Sequence, residues 1–232
     1  MGIFDKFKKK SGGEDPYPLY LYEEKEIEEL EVHIEKTLGS FDKVFHEIIS
    51  PDIHLDIAML PATEEDPYLK LVTMGAGAYK MNVPSELKDY KLEYAEYVIL
   101  LPKDWNIDSG DEKDYWPTRA LKDIARLPIN SNTWLGYGHT VQADIEGKPY
   151  AENTGLNNIM LVNAVSTKGD PMRLTMSTGK VVNFYLLLPI YQEELEYKME
   201  NGADALVDLL LENEADPDFP VLNPNRVSAV KR

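Results

Sequence analysis

The side chains in this 232-residue chain that could take part in chemistry are few, and the familiar combinations of them are missing. Cysteine is absent, which removes disulfides, thiolate catalysis and cysteine-ligated zinc or iron–sulfur centres and permits a reducing compartment. Of the four histidines, His54 stands two residues from Asp56, so the pair shares one strand face, and His139 follows a Gly-Tyr-Gly turn. Imidazole and carboxylate together can hold a metal or exchange a proton, so His54, Asp56 and His139 define the enzymatic alternative that the sequence offers. No HExxH or paired-histidine spacing accompanies them, and no GxSxG elbow or lysine-bearing phosphate loop occurs. The expectation is therefore no catalytic residue, no metal and no cofactor.

Gly75, Ala76 and Gly77 follow an apolar run, as the first turn of a dinucleotide site would, but the third glycine is missing and Pro84 interrupts the helix that should come next. A tight turn with backbone angles that glycine adopts cheaply fits better. Trp105, Tyr115, Trp116, Trp134 and Tyr137 gather in the loop-flanked middle of the chain, a composition common at protein interfaces and equally common in cores.

Charge is unevenly spread. Residues 14–36 and 192–218 hold 19 of the 41 acids and 3 of the 24 bases, so nearly all of the net charge of -17 belongs to two segments. Such segments repel phosphate backbones and argue against nucleic acid as a partner. Their glutamates lack the burial that moves a carboxyl group into catalytic range, so Glu28, Glu31 and Glu35 are candidates for recognition instead of catalysis.

These residues must be positioned by a folded core, and a hydrophobic fraction of 43% with 10% aromatics supplies one. The length suits one large domain over residues 16–225, between a basic tail at 1–15 and a short tail at 226–232. In the first tail Ile3, Phe4 and Phe7 alternate with Lys6, Lys8, Lys9 and Lys10. It lacks the apolar stretch of a signal peptide, and Lys6 stands where myristoylation needs Ser or Thr. No apolar run is long enough to span a bilayer, and a cytoplasmic location is expected.

Ile27, Leu30, Ile34 and Leu38 recur at helical spacing and predict an amphipathic helix over 23–38. Strands are predicted over 41–49, 53–60, 68–74, 97–101, 137–142, 159–165 and 180–190. Pro117 suits a first helical position and predicts a helix from there to Pro128, led in by Trp116. Two further helices, over 191–201 and 203–212, meet at Gly202. Strands in the middle with helices at both ends predict an α+β fold, a mixed sheet covered mainly on one face.

Several of these stretches resemble the suppressor of fused domain. They are His54-Leu55-Asp56, Leu71-Val72-Thr73-Met74-Gly75, Tyr115-Trp116-Pro117, Ile124-Ala125-Arg126-Leu127-Pro128, Thr133 to His139 through Gly136, Val182-Asn183-Phe184-Tyr185, and Asn201 to Leu206. The resemblance runs over roughly residues 25–225 and implies an α+β protein-binding module that is not an enzyme. In animal members a peptide pairs as an added strand in a cleft beside the loop matching Gly75–Lys80, which makes Tyr79 a partner contact; from the aromatic cluster, Trp105, Trp134 and Tyr137 are further candidates for the partner surface. Small bacterial members accompany secreted toxins and are regarded as immunity proteins, so the implied partner is a basic toxin or an extended peptide. The small Ala76, Gly77 and Ala78 depart from the animal pattern and put the same peptide specificity in question. Asp56, Gly75, Trp116, Pro117, Gly136, His139 and Gly202 match as structural positions.

Overall fold

The structure, a computed structural model, describes residues 18–213 and 216–230. The basic segment at the start of the chain lies outside the described residues. Eight strands form one mixed sheet: β1 (Lys43–Phe45), β2 (Asp56–Leu60), β3 (Tyr68–Met74), β4 (Tyr94–Pro102), β5 (Thr140–Gln142), β6 (Asn158–Asn163), β7 (Arg173–Thr175) and β8 (Val181–Ile190). Their order is β1-β2-β3-β4-β8-β6-β5, with β7 also on β8, and only the central β4–β8 pair is parallel.

Among the described residues four α-helices cover this sheet: α1 (Glu24–Thr37), α2 (Glu112–Ser131), α3 (Gln192–Asn201) and α4 (Ala203–Leu211). Along β4 the side chains alternate, as the two-residue period of a strand requires. Tyr97, Ile99 and Leu101 enter one core with Trp116, Leu121 and Ile124 of α2. Val98 and Leu100 enter a second core with Leu30 and Ile34 of α1 and Leu206 and Leu210 of α4. The α+β class and the mixed sheet covered mainly on one face are as expected: α1, α3 and α4 pack on one face, and α2 covers the other. A central strand apolar on both sides, as β4 and β8 are, needs cover on both. Among the described residues no helix is long and apolar enough to cross a membrane.

Two local expectations fail for identifiable reasons. Helix α2 starts at Glu112, where the Asp111 carboxylate accepts the Lys113 amide at 3.2 Å, so Pro117 sits inside the helix and not at its first position. Glu112 and Asp114 in the first turn complement the helix dipole, and that earlier start signal prevails over the proline. The strand expected over 41–49 pairs only at Lys43–Phe45, because Glu47 turns its carboxylate back to accept the Leu55 amide at 3.2 Å.

The C-terminal segment also differs from expectation. The pairing of β4 with β8 ends at Val98 and Leu186, and the two strands separate. Into the fork comes the chain's own strap: the Leu222 amide donates to the Leu100 carbonyl at 2.8 Å, and the Arg226 guanidinium donates to the Pro189 carbonyl at 3.1 Å. Arg226 and Ala229 are buried, so the domain continues past the boundary expected at residue 225.

Candidate functional site

The glycine turn after β3 is built around an anion that the chain supplies itself. Glu96 of β4 is fully buried, and five donors converge on its carboxylate. The amides of Gly75 and Gly77 lie 3.0 Å from Oε1 and the Ala76 amide 3.3 Å from Oε2. The Tyr22 hydroxyl donates to Oε1 at 2.9 Å and the Thr73 hydroxyl to Oε2 at 2.5 Å. Consecutive inward-pointing amides make an anion nest of the kind that holds phosphate elsewhere. Here the nest is filled from inside, so the turn has no vacancy for a nucleotide. Burial raises the Glu96 pKa, and the hydrogen bonds from Thr73, Gly75, Gly77 and Tyr22 oppose that rise.

Sterics make the glycines obligatory. Gly75 has φ +136°, and a Cβ there would lie 2.0 Å from the His54 carbonyl oxygen. At Gly77 a Cβ would lie 2.1 Å from the Tyr22 hydroxyl oxygen. The turn closes as a short 3₁₀ segment, Ala76–Ala78, and delivers Tyr79 half-buried, its ring edge-on to that of Tyr20 with centroids 5.0 Å apart.

A groove of about 540 Å³ begins at Tyr79 and is lined by Met81, Val83, Lys88, Glu93 and Asn132. The Asn82 amide donates to the Thr133 carbonyl at 3.1 Å, and so joins this loop to the turn that carries Trp134. The Trp134 ring packs on His139 at 4.3 Å and over Gly136, where a Cβ would meet it at 2.7 Å. Burial holds the His139 pKa below the ordinary imidazole value. Tyr137 is partly exposed and gives its hydroxyl to the Asp204 carboxylate of α4. A larger groove, about 800 Å³, runs between the strap and the end of β4, and none of the residues expected at a partner site lines it.

The structure thus brings Tyr79 and Trp134 into one neighbourhood and separates Trp105, Glu28, Glu31 and Glu35 from it. Trp105 follows the far end of β4, a strand about 26 Å long at the usual rise per residue, where its Nε1 donates to the Asp114 carbonyl at 2.8 Å. Glu28, Glu31 and Glu35 lie on α1, which packs on the sheet face opposite the one that Tyr79 and Trp134 pack against. Trp116 is fully buried and stacks on Tyr150 at 5.0 Å. Gly202, with φ +95°, ends α3 and begins α4.

The enzymatic alternative does not assemble. His139 precedes β5 and His54 precedes β2, five strand spacings apart or about 24 Å. A set not foreseen from the sequence surrounds His54: Ser50 Oγ lies 2.8 Å from Nδ1, and Asp56 Oδ1 lies 3.3 Å from Nε2. Contacts in the order serine, histidine, aspartate suggest an activated nucleophile, but Glu47 competes with His54 for the one hydroxyl hydrogen, its carboxylate accepting from Ser50 at 3.0 Å. Asp56 also binds His46 at 2.8 Å, and Arg126 of α2 pairs with Glu47 at 2.6 Å and Asp52 at 3.0 Å. This network ties α2 to the chain before β2. Among the described residues no three histidines or carboxylates are placed to hold a metal.

Sequence reasoning missed Glu96, and the signal was present: a lone acid inside the apolar run Tyr94 to Leu101. A charge buried in such a run needs partners, and the amides of a glycine turn on the adjacent strand can supply them.

With this geometry the comparisons are informative. The family model described as Suppressor of fused protein (SUFU) matches residues 51–227. An uncharacterised protein of Ureaplasma parvum serovar 3 is 27% identical over 216 residues, 91% of this chain and 98% of that one. The crystal structure of a SUFU homologue from Neisseria gonorrhoeae FA 1090 superposes with a TM-score of 0.59 at 18% identity, covering 88% of this chain and 97% of the other. A structure of the Sufu-Fu complex gives 0.62 at 13% identity, covering 88% and 90%. Drosophila Suppressor of Fused gives 0.53 at 15% identity; 75% of this chain is covered, and it spans 42% of the Drosophila chain. At these identities the likeness to the solved structures is one of fold.

Proposed function

The chain belongs to the suppressor of fused family, and we propose that it is a non-enzymatic cytoplasmic module that grips another protein at the surface around Tyr79. One observation carries this reading: the glycine turn is locked from inside by Glu96, so that Tyr79 and the groove beside it stand on a rigid platform. A pre-organised aromatic contact loses little entropy on binding. The similar Sufu chain occurs in a complex with Fu, which supports protein binding as the shared property.

In its finer form the proposal is an immunity function, blockade of a basic toxin. Helices α1 and α4 pack on the same sheet face, and α3 runs into α4 at Gly202, so the two acidic segments of the sequence flank one side of the molecule. An adaptor that receives an extended peptide by strand addition is the second reading. The segment Leu19–Tyr22 beside Tyr79 makes a single bridge, Tyr20 to Ile53, and Leu19 and Leu21 are exposed.

The test is to purify the partner from the native host on the immobilised chain, identify it, and titrate it against variants. Tyr79→Ala should weaken binding at least tenfold, while Ile145→Ala, at a fully exposed site elsewhere, should not. Unchanged affinity in Tyr79→Ala would place the surface elsewhere. A partner with nuclease or other toxic activity selects the immunity form, and a host regulatory protein selects the adaptor.

A further inference from the structure

We infer that Glu96 is the positioning residue of this surface: its carboxylate joins the glycine turn and the Leu19–Tyr22 segment into one unit, and Tyr20 and Tyr79 keep their mutual geometry only while it is in place. The inference rests on the reading that Tyr79 meets the partner, and it adds the residue that decides whether Tyr79 is held ready.

The argument is one of register. Tyr22 stands over Gly77 and Tyr20 stands against Tyr79, so the two stretches run side by side in opposite directions with paired positions two residues apart. Among the described residues no backbone hydrogen bond joins the two stretches. What links them is Glu96 Oε1, which accepts from the Tyr22 hydroxyl on one side and from the Gly75 and Gly77 amides on the other. The outer edge of the segment is held separately, by the Tyr20 amide donating to the Asp52 carbonyl at 2.7 Å. Remove the acceptor and three buried amides and two buried hydroxyls lose their partner together, which a turn this tight tolerates only by opening.

Glutamine is the informative substitution. It keeps the volume of Glu96 but replaces one acceptor oxygen by an NH₂ group, which faces donors and repels them. A general loss of packing would loosen the whole of β4, whereas loss of the acceptor loosens only what hangs on it.

The experiment compares hydrogen exchange and tyrosine nitration by tetranitromethane in the wild-type chain and in Glu96→Gln. The expected result is exchange at least tenfold faster at the Gly75, Ala76 and Gly77 amides, with faster nitration of Tyr20 and Tyr79 and with the β6 and β8 amides unchanged. Exchange within twofold of wild type at the turn would overturn the inference, and so would acceleration spread evenly through the sheet. Should Glu96→Gln not fold, Tyr22→Phe removes a single donor and keeps the ring. It should raise nitration of Tyr20 and Tyr79 and leave the Thr73 side of the turn protected; unchanged nitration would overturn the inference equally. Neither readout uses the partner, so a Tyr79→Ala variant that binds normally would fail the functional reading while leaving the role of Glu96 to be decided by exchange.

Discussion

Arg226 and Glu194 form a buried ion pair that fastens the C-terminal strap to α3: Nη1 lies 2.6 Å from Oε1, Nη2 lies 2.5 Å from Oε2, and both side chains are almost wholly excluded from water. Glu194 also accepts the Ala229 amide at 2.9 Å and the Tyr191 amide at 2.9 Å, so one carboxylate caps α3 and receives the strap. Arg226→Met would strand that carboxylate without its counter-charge and should cost about 3–5 kcal/mol in urea unfolding. The double variant Arg226→Met with Glu194→Gln removes both charges and should recover part of the loss. A single variant within about 1 kcal/mol of wild type, on the scale of an exposed pair, would mean that the strap is not anchored there.

The two glycines of the turn should respond differently to the same change. At Gly77 the obstacle is the Tyr22 hydroxyl, whereas at Gly75 it is the His54 backbone together with a positive φ. Gly77→Ala should therefore cost on the order of 1–3 kcal/mol, the range for overpacking, and part of that should return in Gly77→Ala with Tyr22→Phe, where the nearest remaining ring atom lies 3.3 Å from the new Cβ. Gly75→Ala should be more damaging and indifferent to Tyr22→Phe. Thermal melts of the four variants decide it, and equal rescue at both positions would contradict the steric assignment.

Acid should weaken the fold through two histidines. Burial holds His33 below the ordinary imidazole value although its Nε2 hydrogen-bonds the Pro171 carbonyl at 3.1 Å, and burial does the same to His139. A depressed folded pKa means that the unfolded chain takes up the proton first. The stability these two contribute is present above about pH 6.5, the unperturbed value, and is lost as pH falls through their folded values. His139→Gln should flatten the decline of melting temperature between neutral pH and the carboxylate range. A decline of the same slope in that variant would show that His139 takes no part.

The sequence was most legible where a local period decided the structure. Leu30 and Ile34 of α1 are fully buried as their spacing requires, and the glycine turn falls where the apolar run of β3 ends. It was least legible where residues far apart in the chain decide. Glu96 lies 19 to 23 residues from the groups of the glycine turn that bind it and 74 from Tyr22, and no window of sequence shows that meeting. Arg226 read as part of a tail because its partner Glu194 lies 32 residues earlier in what looked like a solvated acidic helix. Trp105 and Tyr79, expected at one partner surface, part for a related reason: they flank opposite ends of β4, a separation that only the strand's length creates.

The last prediction concerns the acidic side of the molecule. On α1 the core needs Leu30 and Ile34, while Glu26 and Glu29 bind Lys180 and Ser177, which leaves Glu28, Glu31 and Glu35 surplus to folding. Glu28 and Glu35 are exposed and Glu31 is half-buried, and no ion pair engages any of the three among the described residues. If the partner is basic, this side should raise its rate of encounter without touching the contacts that hold the complex, because long-range attraction acts before docking. Association should slow as salt rises, since such charges are screened beyond about 8 Å at physiological ionic strength, while dissociation should change little. The triple variant Glu28→Lys, Glu31→Lys, Glu35→Lys keeps helix propensity nearly constant and should lower the on-rate several-fold with an unchanged circular dichroism spectrum. An on-rate within twofold of the parent at low salt would show that the charge serves solubility alone, and would leave recognition to Tyr79 and the groove beside it.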